Sequence, residues 1–319
     1  MVTIRDIAKA AGVSNSTVSK ALKNSPLVKA STKQKILDIA NRLHYRRNIH
    51  ASQLVSGKSG LIGLVLSNFG NPLFSNLAVR MNQELKQRGY EMILSLSEHG
   101  IQLFEQLRVE GVLYWGDLNR GSEIPEQLLA VEIPVLQIGN DALSNFPSVL
   151  IDRGLAIKSA IDYLLECGHR QIGLIGDSQA VKLNSFKSYM RVCGFDVPDE
   201  YVLASNETWL DGYYAVKNYV FTRSSPTAFI GSNNLVTKGA LRALLERGLQ
   251  VPEEISLIGY DDLPDMEQAE VPITTVGPSL EQLAVESVDM MLSIVDGESV
   301  EPATYILPRM AVRKSVRSR

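Results

Sequence analysis

The sequence predicts an α/β protein with an all-α first segment: a helix-turn-helix headpiece, then two doubly wound halves built on parallel sheets. Three observations carry that expectation. From residue 61 onward, apolar runs of four to six residues alternate with segments of helical periodicity, the pattern of parallel strands buried on both faces. Ahead of them lie short segments with helical spacing, two of which are separated only by a glycine-containing turn. The charge divides at the same place: residues 1–60 hold eleven Lys/Arg against Asp6 and Asp38, which leaves 21 basic and 33 acidic side chains for the rest. At 319 residues the chain suits two or three compact units rather than one core.

In the headpiece, Thr3 followed by Asp6 has capping-box spacing, and Ile4, Ile7, Ala8 and Ala11 recur at helical intervals. A first helix is therefore expected over about residues 4–11, stopped by Gly12. Ser14 is a natural N-cap for a second helix over about 15–22, with Val18, Ala21 and Leu22 facing inward. A third begins near Ser31 or Thr32 and buries Ile36, Ile39 and Leu43. An ordinary helical hairpin shares the helix-glycine-helix pattern, but the surplus positive charge favours a nucleic-acid-binding face. The second helix then becomes a recognition helix. Asn15, Ser16 and Lys20 face away from Val18 and Leu22 and can reach base edges in the major groove, where Asn pairs with adenine and Lys donates to guanine. Thr17 and Ser19 are placed for phosphate oxygens, which position the helix without reading sequence.

In the body, LIGLVL, EMILSL, GVLYW, PVLQI and SVLI are expected strands of the first half, and QIGLIG, TAFIG, EISLIG, ITTV and YILP of the second. Ligands of such sheets bind beyond the carboxyl ends of the strands, where the connections part to opposite sides. A helix from about Leu73 to Gln87 carries the stripe Phe74, Leu77, Ala78, Met81 and Leu85, suited to the core or to a second subunit.

Composition and motif spacing argue against several classes. The 45% hydrophobic and 21% charged shares are those of a soluble globular protein, and no apolar run approaches the roughly 18 residues of a membrane span. MVTIRDIAKA lacks an apolar signal core, so a cytoplasmic location is expected, and Cys167 with Cys193 makes no disulfide framework. None of the 23 glycines stands in G-x-G spacing, and the P-loop pattern is missing. His44, His50, His99 and His169 are scattered, no Cys/His group has metal spacing, and no serine nucleophile elbow occurs. The expectation is a protein that is not an enzyme, with no catalytic residue, cofactor or metal site. His169 in GHRQI reads as a residue leading into a strand.

VTIRDIAKAAGVSNSTVSKALKN and YRRNIHASQLVSGKSGLIGLV resemble the start of the LacI/GalR family of bacterial transcriptional regulators. The similarity continues through GHRQIGLIG, SPTAFIGSNN, ALRALLERGLQVPEEISLIGYDD and ITTV, nearly the whole chain. The resemblance implies a periplasmic-binding-protein-like core whose chain crosses between the halves near Asp152, Ser279 and Ser299. It divides the protein into a DNA-binding domain over 1–47, a hinge helix and linker over 48–60, and an effector-binding and dimerisation core over 61–319. Within the core, the N-subdomain takes about 61–152 and 279–298, and the C-subdomain about 153–278 and 299–319. The implied function is that of a transcriptional repressor: a homodimer on a near-palindromic double-stranded operator, its affinity controlled by a sugar or sugar derivative in the cleft. Leu54 matches the leucine that wedges into the minor groove. Arg47 stands where the family commonly has proline, and Ser52 where it commonly has arginine. The segment RKSVRSR after the last strand is no apolar heptad tail, so a dimer is expected rather than a tetramer.

The same resemblance places effector contacts at Asn71 in GNPLF, Asp152, Lys182, Asn233 in SNN, Asp261 in GYDD, and Leu280 as an apolar wall. Lys182 aligns with an arginine, so a point charge replaces a planar fork. Arg153 departs from the usual asparagine, and Asn234 from the usual aspartate. IQLFEQLRV is shorter than the family's connection between the second and third strands. The competing reading is a solute-binding sensor without specific operator recognition. It would share the body, but not the basic head, and would need an export signal.

Overall fold

The structure, a computed structural model, describes residues 2–22, 25–43, 45, 58–66, 69–97, 99–115, 128, 130–139, 146–176 and 180–319. The chain divides into two compact units, Met1–Ser59 and Gly60–Arg319.

The first unit contains α1 (Ile4–Ala11), α2 (Asn15–Leu22) and α3 (Ala30–Arg42), each packed on the other two. Asp6 accepts both the backbone N–H and the hydroxyl of Thr3 at 2.8 Å, which fastens the start of α1 and holds the Asp6 carboxyl below its ordinary value. Gly12 ends α1 at φ 71°, a left-handed conformation that glycine adopts without strain. Ser14 Oγ accepts the Thr17 N–H at 3.2 Å and so caps α2. Ile7, Ala8, Ala11, Val18, Ala21, Val28, Ile36, Ile39 and Ala40 form the core. The third helix starts at Ala30 behind Lys29 rather than at Ser31 or Thr32, and Leu43 is its partly buried C-cap residue instead of a core position.

In the second unit, a six-stranded sheet has the order β11-β5-β4-β3-β1-β2, formed by β1 (Leu61–Leu66), β2 (Glu91–Ser95), β3 (Gly111–Trp115), β4 (Val135–Ile138), β5 (Ser148–Ile151) and β11 (Ala303–Ile306). All its ladders are parallel. The second sheet has the order β12-β10-β9-β8-β6-β7, formed by β6 (Ile172–Ile175), β7 (Val202–Leu203), β8 (Ala228–Gly231), β9 (Ser256–Tyr260), β10 (Thr274–Pro278) and β12 (Pro308–Ala311). Only β12 is antiparallel to its neighbour. In each sheet the first strand in sequence lies between the next two, so the connections part at β1/β3 and at β6/β8.

The apolar runs supply both faces. Ile62, Leu64 and Leu66 of β1 pack under α4 (Pro72–Gln87) and α10 (Leu280–Val295), while Leu61 and Val65 face α5 (Gly100–Leu107). The short α5 contributes Ile101 and Phe104, and a Cβ on Gly63 would overlap the Phe104 ring, so glycine lets that ring lie on the strand. Burial of such a phenylalanine contributes about 1.5–3 kcal/mol. On the second sheet, α6 (Arg153–Glu166) and α7 (Ala180–Val192) cover one face, and α8 (Trp209–Lys217) with α9 (Asn234–Glu246) the other.

One expectation needs correction, and one alternative closes. The YILP strand pairs Ala303–Ile306 with β5, so it is an edge of the first sheet and not part of the second. The chain therefore leaves the first sheet at Leu307, between β11 and β12, and not near Ser299. Of the two uses open to the stripe Phe74, Leu77, Ala78, Met81 and Leu85, the structure shows the core: it is buried against the first sheet and α10 within the chain.

Candidate functional site

Two groups of residues matter, one in each unit. In the headpiece, Val18 is fully buried while Ser16 and Lys20 are exposed on the opposite side of α2, as helical spacing requires. Asn15, three residues before Val18 and so on its side of the helix rather than facing away from it, is exposed because it opens the helix. Thr17 and Ser19 are half-buried beside them. Ser14 Oγ also lies 2.8 Å from Ser16 Oγ and 2.9 Å from Thr17 Oγ1, so these hydroxyls form a local cluster at the first turn. Leu54, Arg47 and Ser52 lie outside the described residues.

In the second unit, the six expected contact residues follow strands at their carboxyl ends, and several of them cap the next helix. Asn71 caps α4 by accepting the Leu73 N–H at 2.9 Å, Asp152 caps α6 through Leu155 N–H at 2.8 Å, and Asn233 caps α9 through Val236 N–H at 2.8 Å. The Asn233 amide also donates to Glu207 O at 3.1 Å, which ties the segment before α8 to the end of β8. Leu280, the first residue of α10, is buried in the core behind the Ser279 cap.

Lys182 and Asp261 carry the charge. Lys182 is buried on α7; its Nζ donates to Ser232 O at 2.6 Å and stands 3.2 Å from the Tyr260 ring centroid. Asp261, at the end of β9, is 4% exposed and holds φ 71°. A left-handed non-glycine residue is uncommon, and here its N–H is fixed by Val276 O at 3.0 Å. Burial pushes the Asp261 carboxyl upward, opposed by the cation of Lys182, the Asn234 amide and the cation of Arg153.

Asn234 links the halves. Its Nδ2 donates to Asn71 Oδ1 at 2.9 Å and lies 3.4 Å from Asp261 Oδ2, so one side chain at the start of α9 touches both sheets' carboxyl edges. Asn71, Lys182, Asn233 and Asp261 are thereby gathered around Asn234, with Asp152 one residue before Arg153. Sequence reasoning named Asn234 and Arg153 only as departures and passed over Ser232. It also passed over Trp115, whose ring meets Phe74 edge-on at 5.1 Å and 90° where β3 ends. A cap-like residue directly after an apolar run was the signal available for Ser232 and Asn234; Arg153, which follows a cap, and Trp115, the last residue of its own run, carried no such signal.

His169 is a structural residue. Its Nδ1 lies 2.8 Å from Thr227 Oγ1, and its Nε2 lies 3.1 Å from Arg317 O. Since a carbonyl only accepts, Nε2 carries the proton, and burial holds the imidazole below its usual pKa. Among the described residues, no group of three or more His, Cys, Asp or Glu could hold a metal ion, and no helix is long and apolar enough to cross a membrane.

Residues 3–48 match the family described as bacterial regulatory proteins, lacI family, and residues 161–316 match a periplasmic binding protein-like domain. Similarity at full length runs in the same direction. Catabolite control protein A of Priestia megaterium is 27% identical over 332 residues, covering 99% of both chains. The transcriptional repressor PurR of Haemophilus influenzae (strain PittEE) is 28% identical over 342 residues, covering 100% of this chain and 99% of its own. The transcriptional regulator DegA of Bacillus subtilis (strain 168) is 27% identical over 299 residues, 89% of this chain and 88% of that one. In fold, the chain resembles the lac repressor dimer bound to operator and the anti-inducer ONPF, with TM-score 0.80, 24% identity and 99% of each chain covered. It also resembles the CelR-cellobiose complex, with TM-score 0.69, 24% identity, 99% of this chain and 100% of that chain. A lacI-type helix-turn-helix followed by a periplasmic-binding-protein-like core, matched from end to end by such regulators, means that this chain belongs to the LacI/GalR family of bacterial transcriptional regulators, DNA-binding proteins.

Proposed function

We propose that this family member is a cytoplasmic, homodimeric repressor and not an enzyme, with an operator affinity set by a sugar or sugar derivative bound in the cleft of its core. The observation that carries the DNA-binding half is the exposed polar edge of α2 on a basic headpiece, where Ser16 and Lys20 stand opposite buried Val18 and Asn15 is exposed at the first turn. Thr17 and Ser19 take phosphate contacts, and Leu54 of the 48–60 hinge wedges into the minor groove. Two recognition helices related by a twofold axis require a near-palindromic operator with half-sites about one helical turn apart. The effector lies among Asn71, Asp152, Lys182, Asn233, Asp261 and Leu280, at the carboxyl ends of strands where doubly wound sheets bind ligands. Support for a sugar comes from relatives of this fold: the lac repressor is seen with operator and ONPF, and CelR with cellobiose.

Effector and operator must be coupled reciprocally, each changing the other's affinity by the same factor. The test is selection of the purified chain on a randomised duplex pool at fixed salt, with and without a mixture of sugars. Enrichment of a palindrome that the mixture abolishes or creates is the expected result. A pool that stays random under every condition would leave only nonspecific phosphate binding.

A further inference from the structure

Asn234 Nδ2 donates to Asn71 Oδ1, with Asp261 Oδ2 also in reach, and all three side chains are buried. The partners fix which way the amide faces. Asn71 Oδ1 already accepts the Leu73 N–H, and a carboxylate only accepts, so the edge of Asn234 turned towards both must be its NH2. Its Oδ1 is then turned to the other side, fully buried and without a hydrogen-bond partner among the described residues. Ser232 Oγ, packed over Gly176 at the end of β6, is in the same condition. Buried polar atoms are partnered as a rule, so unpartnered atoms at the carboxyl edge of a doubly wound sheet mark where a ligand completes the bonding.

The charged donor of the site is already engaged, because Lys182 donates to Ser232 O and lies on the face of Tyr260. What this buried cluster offers a ligand that enters it is acceptor capacity, from Asn234 Oδ1 and the Asp261 carboxylate. We propose that Asn234 determines effector specificity: its Oδ1 and the Asp261 carboxylate accept neighbouring hydroxyls of an uncharged sugar, in preference to a sugar acid or a sugar phosphate. This rests on the effector reading above. An aspartate at 234 would set carboxylate against carboxylate at Asp261 and acceptor against acceptor at Asn71. The asparagine removes that conflict, and the side chain that reads the ligand also ties the first half to the second.

The test is calorimetric titration of the full chain with glucose, galactose, ribose and cellobiose, and with glucose 6-phosphate, ribose 5-phosphate, gluconate and glucuronate. At least one neutral sugar is expected to bind, with its charged counterpart at least tenfold weaker. Asn234→Ala and Asn234→Asp should each weaken that neutral sugar tenfold or more while circular dichroism stays that of the parent. A charged counterpart that binds more tightly than its neutral parent overturns the proposal, and this comparison uses the unsubstituted chain, so it stands whatever the variants do to folding. Neutral-sugar binding that stays within threefold in well-folded Asn234→Ala overturns the role of Asn234 while leaving the effector reading intact. Failure of every probe to bind overturns both.

Discussion

Replacing Asp261 by asparagine should separate ligand binding from folding. The backbone tolerates the change, since φ 71° suits asparagine as well as aspartate and the fixing hydrogen bond from Asp261 N–H to Val276 O uses no side-chain atom. Burial raises the carboxyl's pKa even against the Lys182 and Arg153 cations, so folding favours its neutral form. Every tenfold increase in proton affinity makes the charged form about 1.4 kcal/mol less favourable in the folded state. A neutral amide of the same shape escapes that cost, and Lys182 keeps Ser232 O and the Tyr260 face. Thermal unfolding at pH 7 should therefore show a variant as stable as the parent or more stable. A folded pKa above the unfolded value of 3.8 means that the native state binds more protons in between. The parent should then gain stability as pH falls through that window, a gain the variant lacks. Effector binding should weaken by about 1.5–3 kcal/mol, the worth of a hydrogen bond to a charged group, or roughly 10- to 150-fold in Kd. A loss of stability above about 2 kcal/mol would make Asp261 the structural counter-ion of Lys182 and refute the reasoning.

Other outcomes follow from the same geometry. Lys20→Ala should relax preference at one operator position in duplex selection, whereas equal weakening on all sequences would make Lys20 a phosphate contact. Leu54→Gly should weaken operator binding in a mobility-shift titration and leave the effector Kd unchanged. His169 is held neutral by burial, so the unfolded chain binds more protons just below 6.5, and stability should fall as pH drops through that region. In His169→Gln that part of the pH dependence should disappear from thermal unfolding curves. Gly63→Ala forces a methyl into the Phe104 ring and should lower stability by about 1–3 kcal/mol in denaturant titration, with headpiece binding to DNA unaffected.

The headpiece was legible almost residue by residue. Val18 and Leu22 set the register of α2, and once one face is buried the outward face of a two-turn helix has no freedom left, so Ser16 and Lys20 had to be exposed, whereas Asn15, in register with Val18 and Leu22, owes its exposure to its place at the helix start. Most strands of the body were equally plain as apolar runs, since a strand covered on both faces has no polar side to show, but the two-residue β7 and the partly exposed β12 were not among the expected runs. The cleft was readable only to one residue's precision. Asn233 and Asn234 stand side by side in SNN, yet the first is taken up by capping α9 and the second reaches across to Asn71. That division depends on where the helix begins, and a boundary of that fineness has no local signal.

What the sequence by itself determined is the inventory: three basic helices, the strands of two wound halves, and polar residues at strand ends where helix starts need caps. All of these follow from periodicity and from backbone groups that must be satisfied within a few residues. Only the tertiary structure decided which sheet each strand joined and which side chains met. YILP is apolar enough for either sheet, and its pairing with β5 is a long-range choice of edge. The contact of Asn234 with Asn71 joins residues 163 positions apart, and the burial that raises Asp261 comes from neighbours on several elements. Such energies depend on distance in space, and a local pattern fixes distance only along the chain.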